Sequence, residues 1–160
     1  MSSVQRTDGW DGNNAVGVVQ YVQLWCVGTT AIAVGDWVAV YATDTTNPGA
    51  IDGESFRLAD SDNIGAATDT VGVATQALAL NASGFILVQV SGSYVGANVD
   101  SGASVANGDP LCIGSTGGRA IEQVLDASTT ANRRTIGICR STPSANTATV
   151  EILPHPRFLS

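Results

Sequence analysis

The chain contains no lysine. Its 7 basic residues are all arginine and stand against 14 acids, for a net charge of −7 over 160 residues. A surplus of acids repels a phosphate backbone, so the sequence argues against nucleic acid as a partner. Charge of either sign is scarce: charged residues make up 13%, against about 25% in an ordinary soluble protein. Ser, Thr, Asn, Gln and Gly must therefore cover much of the surface, which suits burial against neighbours. Arginine without lysine reads as compositional drift, or as a preference for planar contacts at protein interfaces. Histidine occurs once, as His155 between two prolines. Any Ser/His/Asp or Cys/His system would have to use it, and an exposed tail residue is the simpler reading. Cysteine occurs 3 times, at Cys26, Cys112 and Cys139, with no C-x-x-C spacing and no Cys/His cluster. A zinc site needs three or four converging ligands, and an odd number of scattered thiols fits a reduced site of synthesis. The first residues lack the apolar stretch of a signal peptide. No apolar run approaches the roughly 20 residues that span a bilayer. These features give the expectation of a soluble protein with no membrane partner.

Sustained helical periodicity is also missing. In its place is a series of short β-branched and aromatic segments separated by Gly-rich turns, the signature of an all-β sandwich or barrel. Hydrophobic residues make up 44%, enough for one folded domain with its own core.

One pattern occurs twice. The first copy is Ile32-Ala33-Val34-Gly35-Asp36-Trp37-Val38-Ala39-Val40, then Val71-Gly72-Val73-Ala74, then Leu87-Val88-Gln89-Val90. The second is Val105-Ala106-Asn107-Gly108-Asp109-Pro110-Leu111-Cys112-Ile113, then Ile136-Gly137-Ile138-Cys139, then Val150-Glu151-Ile152. Every repeated position is a turn or core position. The reading is an internal two-fold repeat, with units of about residues 30–92 and 103–153, inside a single β-domain over 16–153. Gly35, Asp36, Gly108 and Asp109 are expected to form structural turns, each Asp capping backbone N–H groups.

Within the domain, strands are expected at 16–27, 37–41, 71–76, 85–91, 93–99, 110–114, 119–125, 135–140 and 147–153, with Gly92 breaking 85–91 from 93–99. On 16–27 both faces are partly apolar, so both are expected to be covered. On the 37–41 strand, Val38 and Val40 face one way, and Trp37, Ala39 and Tyr41 the other. Residues 42–70 hold few apolar residues and read as the longest excursion from the core, a candidate interaction element. Glu54–Ala59 within it reads as a helical turn or a short strand. Residues 1–15 and 154–160 read as extended arms. Two prolines keep the second arm out of any ladder. Trp10, Arg157, Phe158 and Leu159 are the interface candidates of these arms, since large aromatics in polar segments find something to dock on, for Trp10 either the chain's own barrel or a neighbouring subunit.

The search for chemistry yields no catalytic, cofactor-binding or metal-binding residues. Asp60-Ser61-Asp62-Asn63 faintly suggests a calcium loop, but its twelfth position is Val71 instead of a bidentate Glu. Ser115-Thr116-Gly117-Gly118-Arg119 has N–H groups that could hold an anion, and a hairpin turn explains it more simply.

The order Val34-Gly35-Asp36-x-Val38, Val71-Gly72-Val73-Ala74, Val88-x-Val90-x-Gly92, Val105-x-x-Gly108-Asp109-x-Leu111, Ile136-Gly137-Ile138 and Val150-x-Ile152 resembles the small all-β capsid decoration (cement) proteins of tailed bacteriophages. The resemblance covers roughly residues 30–153. It implies a non-enzymatic virion protein, made in the bacterial cytoplasm and added to the capsid exterior. Its partners would be the major capsid protein and itself, as a homotrimer that stabilises contacts between capsid subunits. The main alternative is a carbohydrate- or receptor-binding β-module of a phage fibre or cell surface, with Trp10, Trp25 and Trp37 as stacking platforms. A β-barrel enzyme is a third, weaker alternative.

Overall fold

The structure is a computed structural model that describes residues 5–7, 18–41, 55–61, 69–124 and 134–155. Its regular elements are ten strands and one short 3-10 turn. The strands are β1 (Gln5–Thr7), β2 (Val19–Val27), β3 (Trp37–Tyr41), β4 (Ser55–Leu58), β5 (Thr70–Ala74), β6 (Ser83–Asn98), β7 (Pro110–Ile113), β8 (Ala120–Glu122), β9 (Gly137–Cys139) and β10 (Thr147–Ile152), with the 3-10 turn at Ser101–Ala103. The protein is all-β, as the turn-rich, β-branched sequence implies.

Five strands close a barrel. Strand β3 pairs antiparallel with both β4 and β5. Strand β5 pairs with β6 and β6 with β2. A parallel contact at Cys26 and Phe56 joins β2 to β4 and completes the ring. Closure removes the exposed edges that an open sheet of these strands would present. The remaining strands extend the sheet from the second half of β6, through β10, β9 and β7 to β8. There β7 pairs with β8 and β9, and β10 with β9 and β6. A parallel bridge links Val99 to Ala120.

The buried side chains form two clusters. One lies inside the barrel and contains Val22, Leu24, Val38, Val40, Phe56, Val71, Ile86, Val88 and Val90. The other lies in the C-terminal half and contains Leu111, Ile113, Ile136, Val150 and Ile152. Each fully buried aliphatic side chain contributes about 1.5–3 kcal/mol relative to exposure. Strand β3 serves both clusters: Val38 and Val40 face the first, while Trp37 and Ala39 face the second. The alternation expected from the sequence places them so, with the added consequence that a strand of the barrel is anchored in the neighbouring core.

Three expectations are corrected. First, Gly92 does not divide two strands. Residues 83–98 form one 16-residue strand, in which Gly92 takes a φ of 83° yet still pairs with Ile152. The strand bends there without breaking, so its first half lines the barrel and its second half the C-terminal sheet. Second, the excursion over 42–70 returns to the core. Of the two readings of Glu54–Ala59, the short strand holds: Ser55–Leu58 is the barrel strand β4, with Ser55 and Phe56 buried, while 42–54 and 62–68 lie outside the described residues. Third, β2 is not covered on both faces: Val22, Leu24 and Cys26 are buried, but Gln23 is exposed and Tyr21 and Trp25 only half-buried.

At the chain's start, Gln5–Thr7 adds antiparallel to β2, opposite Val19–Tyr21. Part of the expected N-terminal arm is therefore an edge strand of the chain's own sheet. At the other end, Leu153 N–H donates to Ile136 O at 3.0 Å, and Arg134 Nη2 donates to Pro154 O at 2.8 Å. The segment leaving β10 is thus held to the body as far as Pro154. Trp10, Arg157, Phe158 and Leu159 lie outside the described residues.

Candidate functional site

Two Gly-Asp turns organise the molecule. In the first, Gly35 has a φ of 93°, and in the second Gly108 has a φ of 97°, a region that side chains with a Cβ avoid. Asp36 accepts from Ala33 N–H at 2.7 Å, and Asp109 accepts from Ala106 N–H at 2.7 Å. Each closes an Asx-type turn that satisfies a loop donor. Behind the first turn, Gly35 N–H donates to Ala74 O at 2.8 Å and Ala74 N–H to Asp36 O at 2.8 Å. Behind the second, Gly108 N–H donates to Cys139 O at 2.8 Å and Cys139 N–H to Asp109 O at 2.9 Å. Local sequence dictates the turn, and the next strand receives it in the same way each time.

The surroundings differ. The first turn is the joint between the barrel and the C-terminal sheet. Asn98 Nδ2 donates to Asp36 Oδ1 at 2.7 Å, and Asn98 N–H donates to Gly35 O at 2.8 Å. Trp37 Nε1–H donates to Asn98 O at 3.0 Å, and Trp37 N–H donates to Gly118 O at 3.0 Å. Tyr94 packs against the same core. Burial pushes the Asp36 carboxyl above the ordinary carboxylate range, against the lowering influence of Ala33 N–H, the Asn98 amide and the Arg119 charge. A buried carboxylate held by two donors resembles an activated acid electrostatically. Its two oxygens are, however, occupied by Ala33 and Asn98, so its chemistry is that of a structural pin. The second turn is open: Ala106, Asn107 and Gly108 are exposed.

Two of the N–H groups of the Gly117-Gly118 turn are committed within the protein. Gly118 N–H donates to Ala59 O at 2.7 Å, and Arg119 N–H donates to Thr116 O at 3.1 Å. Of the calcium-like string, Asp60 and Ser61 are described, and Ser61 N–H donates to Gly114 O at 3.0 Å. Val71 is a core residue of β5. Cys26, Cys112 and Cys139 are free and buried. Burial drives the Cys26 thiol up to about 12, which removes the thiolate on which cysteine reactivity depends. No group of His, Cys, Asp and Glu able to hold a metal ion occurs among the described residues. No helix among them is long and apolar enough to cross a membrane.

What sequence reasoning missed is the outer face of the β2–β6 ladder. Trp25 and Phe85 are register partners there, with rings 5.1 Å apart and inclined at 72°, an edge-to-face pair worth about 0.5–1.5 kcal/mol. Phe85 is 65% exposed, and Gln23 lies exposed beside the pair, opposite Leu87. Neither β2 (VQYVQLWCV) nor β6 (SGFILVQVSGSYVGAN) carries a charged residue. The uncharged character of both segments was a signal available in the sequence. Their partnership was not, because it depends on pairing across a long stretch of chain.

The fold is an all-β protein built on a closed five-stranded barrel with an attached sheet. No family model, curated protein or solved structure matches the chain.

Proposed function

We propose that this chain is a structural virion protein that binds the outer surface of a bacteriophage capsid and stabilises contacts between major capsid subunits, as a homotrimer. The observation that carries the reading is the pair of matched Gly-Asp turns, each leading directly into a core strand. They are the residues through which the sequence resembles phage decoration proteins. The chemistry-bearing side chains support it, since Asp36, Asp109 and Cys26 all serve the frame. So does the uncharged outer face with its Trp25–Phe85 pair, a surface suited to protein contact. A cement protein works by burying area across a seam, so that parting two capsomers also breaks its contacts. Standard interfaces bury about 1,600 Å², and several around one axis add avidity.

Co-sedimentation with emptied phage heads tests the proposal. The protein is expected in the head pellet at saturable stoichiometry. Trp10→Ala or the pair Phe158→Ala and Leu159→Ala weakens that binding at least tenfold with an unchanged far-UV circular dichroism spectrum. A protein left wholly in the supernatant overturns the reading. The glycan-binding alternative is less well supported, because Trp37 is fully buried with its N–H committed to Asn98. Among the described residues it retains only Trp25 and its neighbours as platforms.

A further inference from the structure

The first Gly-Asp turn is seated on the end of β6. A Cβ on Gly35 would lie 2.6 Å from Gly96 O, Asn98 N–H donates to Gly35 O, and the Asn98 amide holds Asp36. The second turn has the same internal hydrogen bonds but, among the described residues, no such seat: a Cβ on Gly108 would meet none of them within 4 Å. An equivalent of the seat does exist elsewhere. The parallel contact Cys26–Phe56 beside β3 corresponds to the parallel bridge Val99–Ala120 beside β7. Counting back along the strand from each contact, Gln23 and Trp25 stand where Gly96 and Asn98 stand. Inside the chain the Gly96 and Asn98 positions are covered by a Gly-Asp turn, whereas Gln23 is exposed and Trp25 half-buried.

We propose that the two halves are equivalent units, and that the open Gly108-Asp109 turn of one copy docks head to tail on the β2–β6 outer face of a second copy, around Gln23, Trp25 and Phe85. Three observations select a second copy as the occupant. The contact inside the chain supplies its template. Trp25 takes the Asn98 position on the seat, and Gln23, two residues before it on the same face of the strand, adds an exposed side-chain amide beside it. The face is also free of charge in a chain of net charge −7, so mutual repulsion of copies is weakest where this surface is the one approached. The chain lacks a second Trp37: the matching position is Pro110, which is exposed. The contact between copies is therefore smaller than the one within a copy, and it gains strength from ring closure. A head-to-tail contact is heterologous, and it closes into a ring or continues as an open chain. The closed form rests on the homotrimer of the proposed function.

The test is cysteine cross-linking of the full chain. Gln23→Cys and Asn107→Cys both alter exposed side chains, and the native thiols are buried. Under mild oxidation the double variant is expected to form covalent species larger than a dimer on a non-reducing gel. Each single variant gives dimers at most. A double variant that cross-links no further than the single ones overturns the proposal. Sedimentation velocity on Phe85→Asp provides a second readout, with self-association weakened at least tenfold in a folded protein. Unchanged self-association overturns the proposal. Binding to heads is measured separately. Cross-linked rings that ignore heads sink the capsid reading alone, and head binding by a protein that never cross-links sinks this contact alone.

Discussion

Replacing Asp36 and Asp109 by alanine, one at a time, makes the two turns a matched experiment. Each substitution removes the same hydrogen bond, from Ala33 N–H or Ala106 N–H at 2.7 Å. In an exposed turn such a bond is worth about 1 kcal/mol, which sets the expected cost of Asp109→Ala. Asp36→Ala also strands the Asn98 amide, whose partner Asp36 Oδ1 lies 2.7 Å away in a part-buried joint. An unsatisfied buried donor costs about 1–3 kcal/mol. Removing the carboxylate relieves its desolvation, which is the origin of its raised pKa and offsets part of the loss. The net expectation is that Asp36→Ala costs about 2–3 kcal/mol, roughly twice the cost of Asp109→Ala. Urea unfolding followed by far-UV circular dichroism at pH 7 measures both. Equal costs, or a larger cost at Asp109, would refute the claim that the first turn pins the two halves together.

The same carboxyl makes a pH prediction. Its pKa is raised on folding, so the native state binds the extra proton. The stabilisation is fully present below the ordinary Asp value and is lost as pH rises through the folded value. Stability should therefore fall over the window just above the ordinary Asp value, and Asp36→Asn should flatten that fall; an unchanged slope counts against it. Trp37→Phe removes part of a fully buried ring and the hydrogen bond to Asn98 O. It should cost about 2–4 kcal/mol in chemical denaturation, and a loss under 0.5 kcal/mol would show the site to be plastic. Gly118→Ala would place a Cβ 2.7 Å from Asp36 Cγ and from Leu58 Cδ1. It should destabilise by at least about 2 kcal/mol, while Gly108→Ala, with open space around it, should cost only the backbone strain of about 1–2 kcal/mol. Thiol titration of the native protein at pH 8 should find no rapidly reacting cysteine, since Cys26, Cys112 and Cys139 are all buried, and all should react in denaturant. A fast native thiol would contradict their burial.

Much of the frame was legible because its signals are local. Gly before Asp dictates a turn, and Trp37-Val38-Ala39-Val40 alternates between apolar faces that the structure assigns to two cores. What escaped the sequence depends on pairing at a distance. Ser55-Phe56-Arg57-Leu58 reads as a helical turn or a short strand within a polar excursion; that it is a strand of the barrel wall follows only from β2 and β3, which flank it. Gln89 reads as the polar position of an alternating strand, but it is 1% exposed. Its amide is satisfied by Ser91 O and Ser93 O across the bend of β6, a bend that no periodicity announces. The outer face of β2 looked coverable because Tyr21 and Trp25 are large and apolar. Whether such side chains pack inward depends on which sheet lies over them.

The long strand β6 also sets an order of synthesis. Its first half completes the barrel with β2 and β5, whose residues all precede it in the chain. Its second half must wait for β10 (Thr147–Ile152), the last of the described strands. A nascent chain emerging from the ribosome can therefore close its barrel while Tyr94-Val95 and their neighbours, held at Asn98 by the first turn, still overhang with the β10 edge unpaired. In that interval the exposed strand is the part most open to pairing with the wrong partner. Chains cut short before β10 should carry that overhang permanently and aggregate through it.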